Sequence, residues 1–388
     1  MHNPSSSPPT EPRGSVRPLS EVLAGWKRER PSSVPSIGVL SGEGVGEEVI
    51  GAALDVLDAV ADGSGRRFSV RIGGAIGLTA KAATGQELPP DVMSFCDEVF
   101  RAGGTLLCGP GGGRFVYDLR EKFHLFCKLV PLRPFPMLRH VGPLRPEAVA
   151  DVDILVVREN VGGIYLGEPG ERREGGRLTE AHHRFRYDAV QVDRTVRAAM
   201  ELARRRRGRL SVVVKRAGVP SISELWIERA EAINAEFGVD LELLEIDNAC
   251  FQIVADARRF DVIVAPNLFG DVVGDTGALL LGSRGLAFSA NFGEGGRAAY
   301  QTAHGSAHDL AGTDRANPLG QIQALAMLLH ESFGLLGLRQ AIERAIGHVL
   351  SEGWRTADIM EPGCRRIGTR ELGRRVAEAA GRDVQHAE

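Results

Sequence analysis

Asp271 and Asp275 lie four residues apart in NLFGDVVGD, directly after the apolar run FDVIVAP. On a helix that spacing puts both carboxylates on one face, where they repel unless a cation lies between them. Acids in a first helical turn are also favoured by the helix dipole, so capping is the competing account. As ligands, carboxylate oxygens suit a hard divalent ion, Mg²⁺ or Mn²⁺, which keeps waters or binds through a substrate. Asp247, which ends the apolar run LELLEID, is a third candidate donor. Lys215 closes the strand-like run LSVVVK and is one of only five lysines among 47 basic residues. Lysine, unlike arginine, can surrender its proton when desolvated and then serve as a general base. A lysine that reaches out to water is the bland alternative. In RENVGGIY, Arg158 suits a carboxylate clamp and Tyr165 a weak acid, unless the segment is only a surface loop. HGSAHDLAGTDRANP carries Asp309, an acid of the kind that accepts from ribose hydroxyls and repels a 2′-phosphate. A structured surface turn accounts for the same residues. GEGVG is a weaker signal. It is neither G-x-G-x-x-G nor a P-loop, and a tight turn into a helix explains its glycines.

These segments sit between runs that read as strands: IGVL, FSVRIGG, GTLLCGP, DILVVREN, LSVVVKRAG, DLELLEID and DVIVAPN. Between them fall helical patterns such as DAVQVDRTVRAAMELARRRR and SELWIERAEAINAEFG. Alternating strands and helices predict an α/β protein with much parallel sheet. GEPGERREGGRLTEAHHRFRYD is polar and glycine-rich and reads as a projecting arm or loop, and the chain ends in strongly helical sequence. Residues 1–33 are rich in Pro, Ser and charge and predict a disordered extension. That extension lacks the apolar core of a secretory signal, and Glu11, Glu21 and Glu29 count against a mitochondrial presequence.

Composition narrows the function classes. The 388 residues are 43% hydrophobic and 25% charged, enough for one large or two medium globular domains. A net charge of −3 and a pI near 6.4 give no sign of a nucleic-acid or membrane partner. No run of eighteen apolar residues predicts a membrane span. The five cysteines are scattered without a C-x-x-C pair, which fits a reducing cytoplasm.

Taken together, five motifs in order resemble the metal-dependent β-decarboxylating dehydrogenases: isocitrate, 3-isopropylmalate and homoisocitrate dehydrogenases. GEGVGEEV is similar to that family's G-D-G-I-G-P-E-V, RENVGGIY to R-E-N-x-x-G-x-Y, and VVVK to its strand-end lysine. NLFGDVVGD resembles N-x-x-G-D-I-x-S-D, and HGSAHDLAGTDRANP resembles H-G-S-A-P-D-I-A-G-x-x-x-A-N-P. The resemblance covers residues 36 to about 340. It implies a two-domain α/β fold of the isocitrate/isopropylmalate dehydrogenase type, with residues 34–125 and 282–388 forming a large nucleotide-binding domain. Residues 126–281 form the small domain, with a clasp arm near 167–187, and two chains make a homodimer with shared sites. Asp271 and Asp275 then bind the metal, joined by Asp247 of the other chain. Lys215 of that chain takes the hydroxyl proton as hydride leaves for NAD, and Tyr165 protonates the enol after CO₂ is lost. Arg120 and Arg158 clamp carboxylates of a malate-type substrate. His304, Gly305, Ser306, Ala307, Asp309 and Asn317 line the nucleotide, and the acid at Asp309 implies NAD rather than NADP.

The departures from the family fall where substrate is chosen. Its L-R-x-x-x-x-L-x-x-N-L-R-P is LREKFHLFCKLVPLRP here, so Lys128 stands for Asn and Val130 for the second Arg. Lys128 or Arg133 is expected to replace that cation, since losing a charged contact to a carboxylate is costly. Arg114, Val116 and Tyr117 stand where the variable group of the substrate is read, and Gly113 where a Glu near the nicotinamide ribose is usual. Gly274 replaces Ser and His308 replaces Pro. These departures point to a substituted malate in a specialised pathway. The alternatives are housekeeping isocitrate, homoisocitrate or 3-isopropylmalate oxidation, and a non-catalytic regulatory subunit. Metal-dependent phosphotransfer at the paired acids leaves the HGSA loop and Asp309 unexplained.

Overall fold

The structure, a computed structural model, describes residues 34–385. The extension expected over residues 1–33 lies outside them. Twelve strands matter for the site. In chain order they are β1 (Ser36–Leu40), β2 (Ser69–Ile72), β3 (Thr105–Cys108), β4 (Cys127–Leu132), β5 (Ile154–Glu159), β6 (Glu168–Glu174), β7 (Arg177–Arg184), β8 (Arg209–Val214), β9 (Asp240–Glu245), β10 (Val262–Ala265), β11 (Phe288–Phe292) and β12 (Ala298–Thr302). Ten of them form one sheet in the order β2-β1-β3-β12-β11-β4-β5-β10-β8-β9. Its two ends are parallel, and its middle, β12-β11-β4-β5, is antiparallel. The strands on either side of the β11–β4 seam come from different stretches: 36–108 and 288–302 on one side, 127–265 on the other.

The inner parallel strands β3, β5 and β10 are buried along their whole length because helices cover both faces, whereas the edge strand β2 is exposed. All four residues of β10, VIVA, are buried, each large side chain contributing about 1.5–3 kcal/mol. Helix Gly46–Gly63 packs on helix Thr369–Gln385, and the largely buried helix Leu319–Phe333 lies against β12 and β11. Helix Ala189–Arg205 opens with a capping box in which Asp188 and Gln191 bond each other's backbone, which fixes its start.

Three strands were not expected from sequence: β4, β11 and β12. β4 contains Pro131, which cannot donate to a ladder and reads as a strand breaker. β11 and β12 are five residues each and are joined by a turn with Gly295 and Gly296 at positive φ. The polar segment read as an arm is an isolated antiparallel hairpin, β6–β7, with a register shift at Arg172/Arg173. No helix among the described residues is long and apolar enough to cross a membrane.

Candidate active site

Helix Asn267–Gly277 follows β10 after one residue, so its first turns stand over the end of the neighbouring strand β5. That brings Asp271 to Arg158, the penultimate residue of β5. The approach needs glycine at 270, where an added Cβ would lie 2.8 Å from Arg158 Cβ and Cγ. Arg158 is 2% exposed. Its Nε donates to Asn267 Oδ1 at 2.9 Å and its Nη1 forms a short ion pair with Asp271. Tyr165 donates its phenol to Asp271 Oδ2 at 2.9 Å. Burial pushes the Asp271 carboxyl up, but Arg158, Lys128 and the Tyr165 hydrogen bond outweigh it and hold the group below its ordinary value. The Tyr165 phenol is pushed up by burial and by Asp271, so it holds its proton as a weak acid. Asp271 is the fifth residue of its helix and no acid occupies the first turn, which removes the capping account.

The loop carrying Tyr165 is pinned from behind. Asn267 donates through Nδ2 to Gly162 O at 2.7 Å, and its backbone N–H donates to Tyr187 Oη at 2.9 Å. Glu159 accepts from the N–H groups of Val161 and Gly162, both at 2.9 Å. Burial raises the Glu159 carboxyl from 4.5 to about 7 against those donors. An acid with a raised folded pKa is held in its protonated form by the fold. Its stabilisation is full below the unfolded pKa and is lost as pH rises through about 7. The melting temperature of Glu159→Gln should therefore fall less than that of wild type between about pH 5 and about pH 7.5. Parallel slopes would mean that Glu159 is ionised throughout.

Arg120 is buried on helix Phe115–Lys122, with its guanidinium 5.6 Å from the Tyr117 ring centroid. Tyr117 in turn stands 5.4 Å from Tyr165, centroid to centroid, so both reach the site. A cavity of about 160 Å³ joins Lys128, Val130, Arg158, Asp271, Gly274 and Asp275. Two of the expected substrate contacts, Arg133 and Arg114, do not line that cavity. Arg133 is exposed beyond the end of β4. Arg114 is also exposed. It precedes its helix, pairs with Asp118 at 3.9 Å and has its guanidinium 5.4 Å from the Tyr117 ring centroid, so it borders the site from the solvent side. Sequence reading also missed Glu87, whose carboxylate accepts from the Arg114 N–H and occupies the space a side chain at Gly113 would need. Its partners lie too far away in the chain to be seen from a motif.

Lys215 and Asp247 are held together elsewhere. Their Nζ–Oδ1 distance is 2.7 Å, with side-chain exposures of 36% and 70%. The expectation of a desolvated, easily deprotonated Lys215 is not met in the single chain: its hydrogen bond to Asp247 raises its pKa. Asp271 and Asp275 make a two-carboxylate donor set suited to a hard divalent ion. Among the described residues no third His, Cys, Asp or Glu joins them, so Asp247 does not reach that pair within one chain. Asp275 itself lies 3.4 Å from Arg284.

The HGSA loop is docked on the GEGVG turn and the helix that follows it. Ser306 O accepts from Val45 N at 2.9 Å, and Gly44, at φ +58, leaves no room for a Cβ against it. GEGVG thus serves as the seat of the HGSA loop. Glu48 accepts from Gly312 N and Asp314 N, both at 2.9 Å. Asn317 donates to Asp358 at 3.0 Å, a partner that sequence reading missed. Gly305 and Asp309 are exposed, Ala307 sits at φ +43, and burial lowers the pKa of His304.

The sequence profile of the isocitrate/isopropylmalate dehydrogenase family matches residues 36–376. The chain is 40% identical over 358 residues to the 3-isopropylmalate dehydrogenase of Thermosynechococcus vestitus, covering 87% of this chain and 96% of the relative. It is 38% identical over 358 residues to that of Oleidesulfovibrio alaskensis, covering 88% and 98%. Among solved structures, the isocitrate dehydrogenase of Methylococcus capsulatus superposes with a TM-score of 0.78 at 28% identity, covering 91% of this chain and all of that one. This chain belongs to the isocitrate/isopropylmalate dehydrogenase family and is a decarboxylating dehydrogenase that acts on the CH–OH group of a hydroxy acid.

Proposed function

We propose that the protein oxidises and decarboxylates a 3-substituted malate with NAD and Mg²⁺ or Mn²⁺, and that 3-isopropylmalate is the first substrate to test. The specialised-pathway reading gives way here to the housekeeping alternative, because relatives 36–41% identical across almost their whole length carry the name 3-isopropylmalate dehydrogenase. The observation that carries the mechanism is the placement of Asp271 between Arg158 and Tyr165 at the cavity, with Arg120 beside them. When bound, the divalent ion polarises the hydroxyl carbon–oxygen bond and stabilises the charge left behind when CO₂ departs. Arg120 and Arg158 hold substrate carboxylates by charge-assisted bonds. Lys215 of a second copy of the chain, neutral once Asp247 turns to the metal and releases it, accepts the hydroxyl proton as hydride passes to NAD. Tyr165 then donates its proton to the enol carbon. The exposed Lys215–Asp247 pair and the missing third carboxylate both support a homodimer with shared sites, clasped by the β6–β7 hairpin. The two halves of the sheet, 34–125 with 282–388 and 126–281, would close as two domains over the cleft.

The test is reduced-nicotinamide formation from a panel of isocitrate, homoisocitrate, 3-isopropylmalate, malate and tartrate, with and without chelator. Turnover that survives complete metal removal would sink the mechanism. Ligand-induced stabilisation without turnover would favour the regulatory-subunit alternative. For the cofactor, Asp309→Lys should lower the kcat/KM ratio of NAD to NADP by about tenfold or more, because it removes a ribose acceptor and the repulsion of a 2′-phosphate. A wild type that prefers NADP would refute this reading of Asp309.

A further inference from the structure

Two buried cations stand side by side at the middle of the sheet. Lys128 on β4 and Arg158 on β5 are register partners. Like charges directly opposite each other destabilise an antiparallel pair, so the arrangement has a cost that folding alone does not explain. Arg158 is answered by Asp271 and Asn267. Lys128 is not. It is 8% exposed and its ammonium lines the cavity beside Asp271 and Asp275. Among the described residues its side chain makes no hydrogen bond or ion pair; burial, then Arg120 and Arg158, pull its pKa down against the opposing pull of Asp271 and Asp275. Arg120 Nε and Arg158 Nη2 are buried without partners as well. Unanswered buried donors are costly, and what Lys128, Arg120 Nε and Arg158 Nη2 lack in common is a hydrogen-bond acceptor, which a substrate carboxylate would supply.

The residues around Lys128 supply the space for one. Val130 lies on the same face of β4, two residues and about 6.6 Å along the strand, a distance that a lysine side chain spans. It occupies the position where the family resemblance places an arginine. Gly274 is open: an added Cβ would touch only Val130 Cγ2, at 3.9 Å. Valine and glycine together leave empty the volume that a guanidinium and a hydroxymethyl group would fill.

We propose that Lys128 is a specificity-determining contact. With Arg120 and Arg158 it binds one carboxylate of a dicarboxylic hydroxy acid, two strand positions from the usual arginine, and the space beside Val130 and Gly274 belongs to the same subsite. This rests on the dehydrogenase reading above. A lysine ammonium is a point charge that does not impose bidentate geometry, so the contact selects for charge more than for a planar carboxylate.

The experiment compares wild type, Lys128→Met, and the double variant Lys128→Asn with Val130→Arg, which restores the family pattern. Two readouts are needed: steady-state turnover of the best substrate, and the melting shift produced by malate or malonate. Lys128→Met should melt higher than wild type without ligand, because an unpaired buried charge is gone. It should lose the malonate shift and raise KM by about tenfold to a hundredfold while kcat changes little. The double variant should recover most of KM. An unchanged KM and an intact malonate shift would overturn the proposal, as would a loss that the double variant does not repair. If wild type turns over nothing in the panel, the dehydrogenase substrate reading fails. The melting shifts then decide Lys128 alone: a shift lost in Lys128→Met supports the contact, and equal shifts reject it.

Discussion

Lys215→Ala is expected to lower kcat by about 10²–10⁴-fold, the range that a positioned general base contributes. The expectation rests on where Lys215 sits. In the single chain its side chain is 36% exposed and engaged only with the acids Asp247 and Glu245. Nothing in the core leans on it, so the variant should fold, melt near wild type and still bind substrate and nucleotide. The loss should therefore appear in kcat and not in binding. Lys215→Arg should not rescue activity, because a guanidinium keeps its proton at any usable pH. A variant that retains more than about a tenth of wild-type kcat would remove Lys215 from the proton-transfer role.

The second large effect is expected at the acid pair. Asp271→Asn keeps an acceptor for Tyr165 but removes the charge that answers buried Arg158 and that holds a divalent ion. Metal affinity should drop by more than the roughly 10–100-fold typical of groups that only support a ligand. Added Mn²⁺ should restore little activity. Mixing gives the sharper test. If each site takes Asp271 and Asp275 from one chain and Lys215 and Asp247 from the other, Lys215→Ala and Asp271→Asn homodimers are each inactive. Re-equilibrated together, about half the dimers are mixed, and each has one intact site of two. About a quarter of wild-type activity should return. A mixture that stays as inactive as its parents would mean that the site is completed within one chain.

Much of this molecule is legible in sequence, and the part that is not has a physical pattern. The parallel strands and their chemistry are local. Arg158, Lys215 and Asp271 each follow a continuous apolar run, because parallel strands are buried on both faces and their ends carry the site. The central antiparallel strands are short or contain proline, and they declare themselves only through partners far away in the chain. That is why β4 was missed, and with it the choice between Lys128 and Arg133. Once β4 is known to be a strand, Lys128 falls inside it at the cavity, and Arg133 falls past its end, exposed. Glu43 is a second case. Its carboxylate accepts from Thr79 N and Gly112 N, tying three distant turns together at a residue that reads as one letter of a glycine motif.

The β11–β4 seam also bears on how such enzymes can be recombined. Strand β4 bonds on one side to β5, which carries Arg158, and on the other to β11, whose hairpin partner β12 leads into the HGSA loop. The half containing β11 is built from two separate stretches of chain, so no single crossover point exchanges one half of this sheet for a relative's. A working chimera needs two junctions, near residues 125 and 282, and must keep the pairings Cys127–Phe292, Lys128–Asn291 and Leu129–Ala290 in register. A slip of one residue there would shift Arg284, Ala287 and Ala303 on the far wall of the cavity against Lys128 and Arg158 while leaving both halves correctly folded.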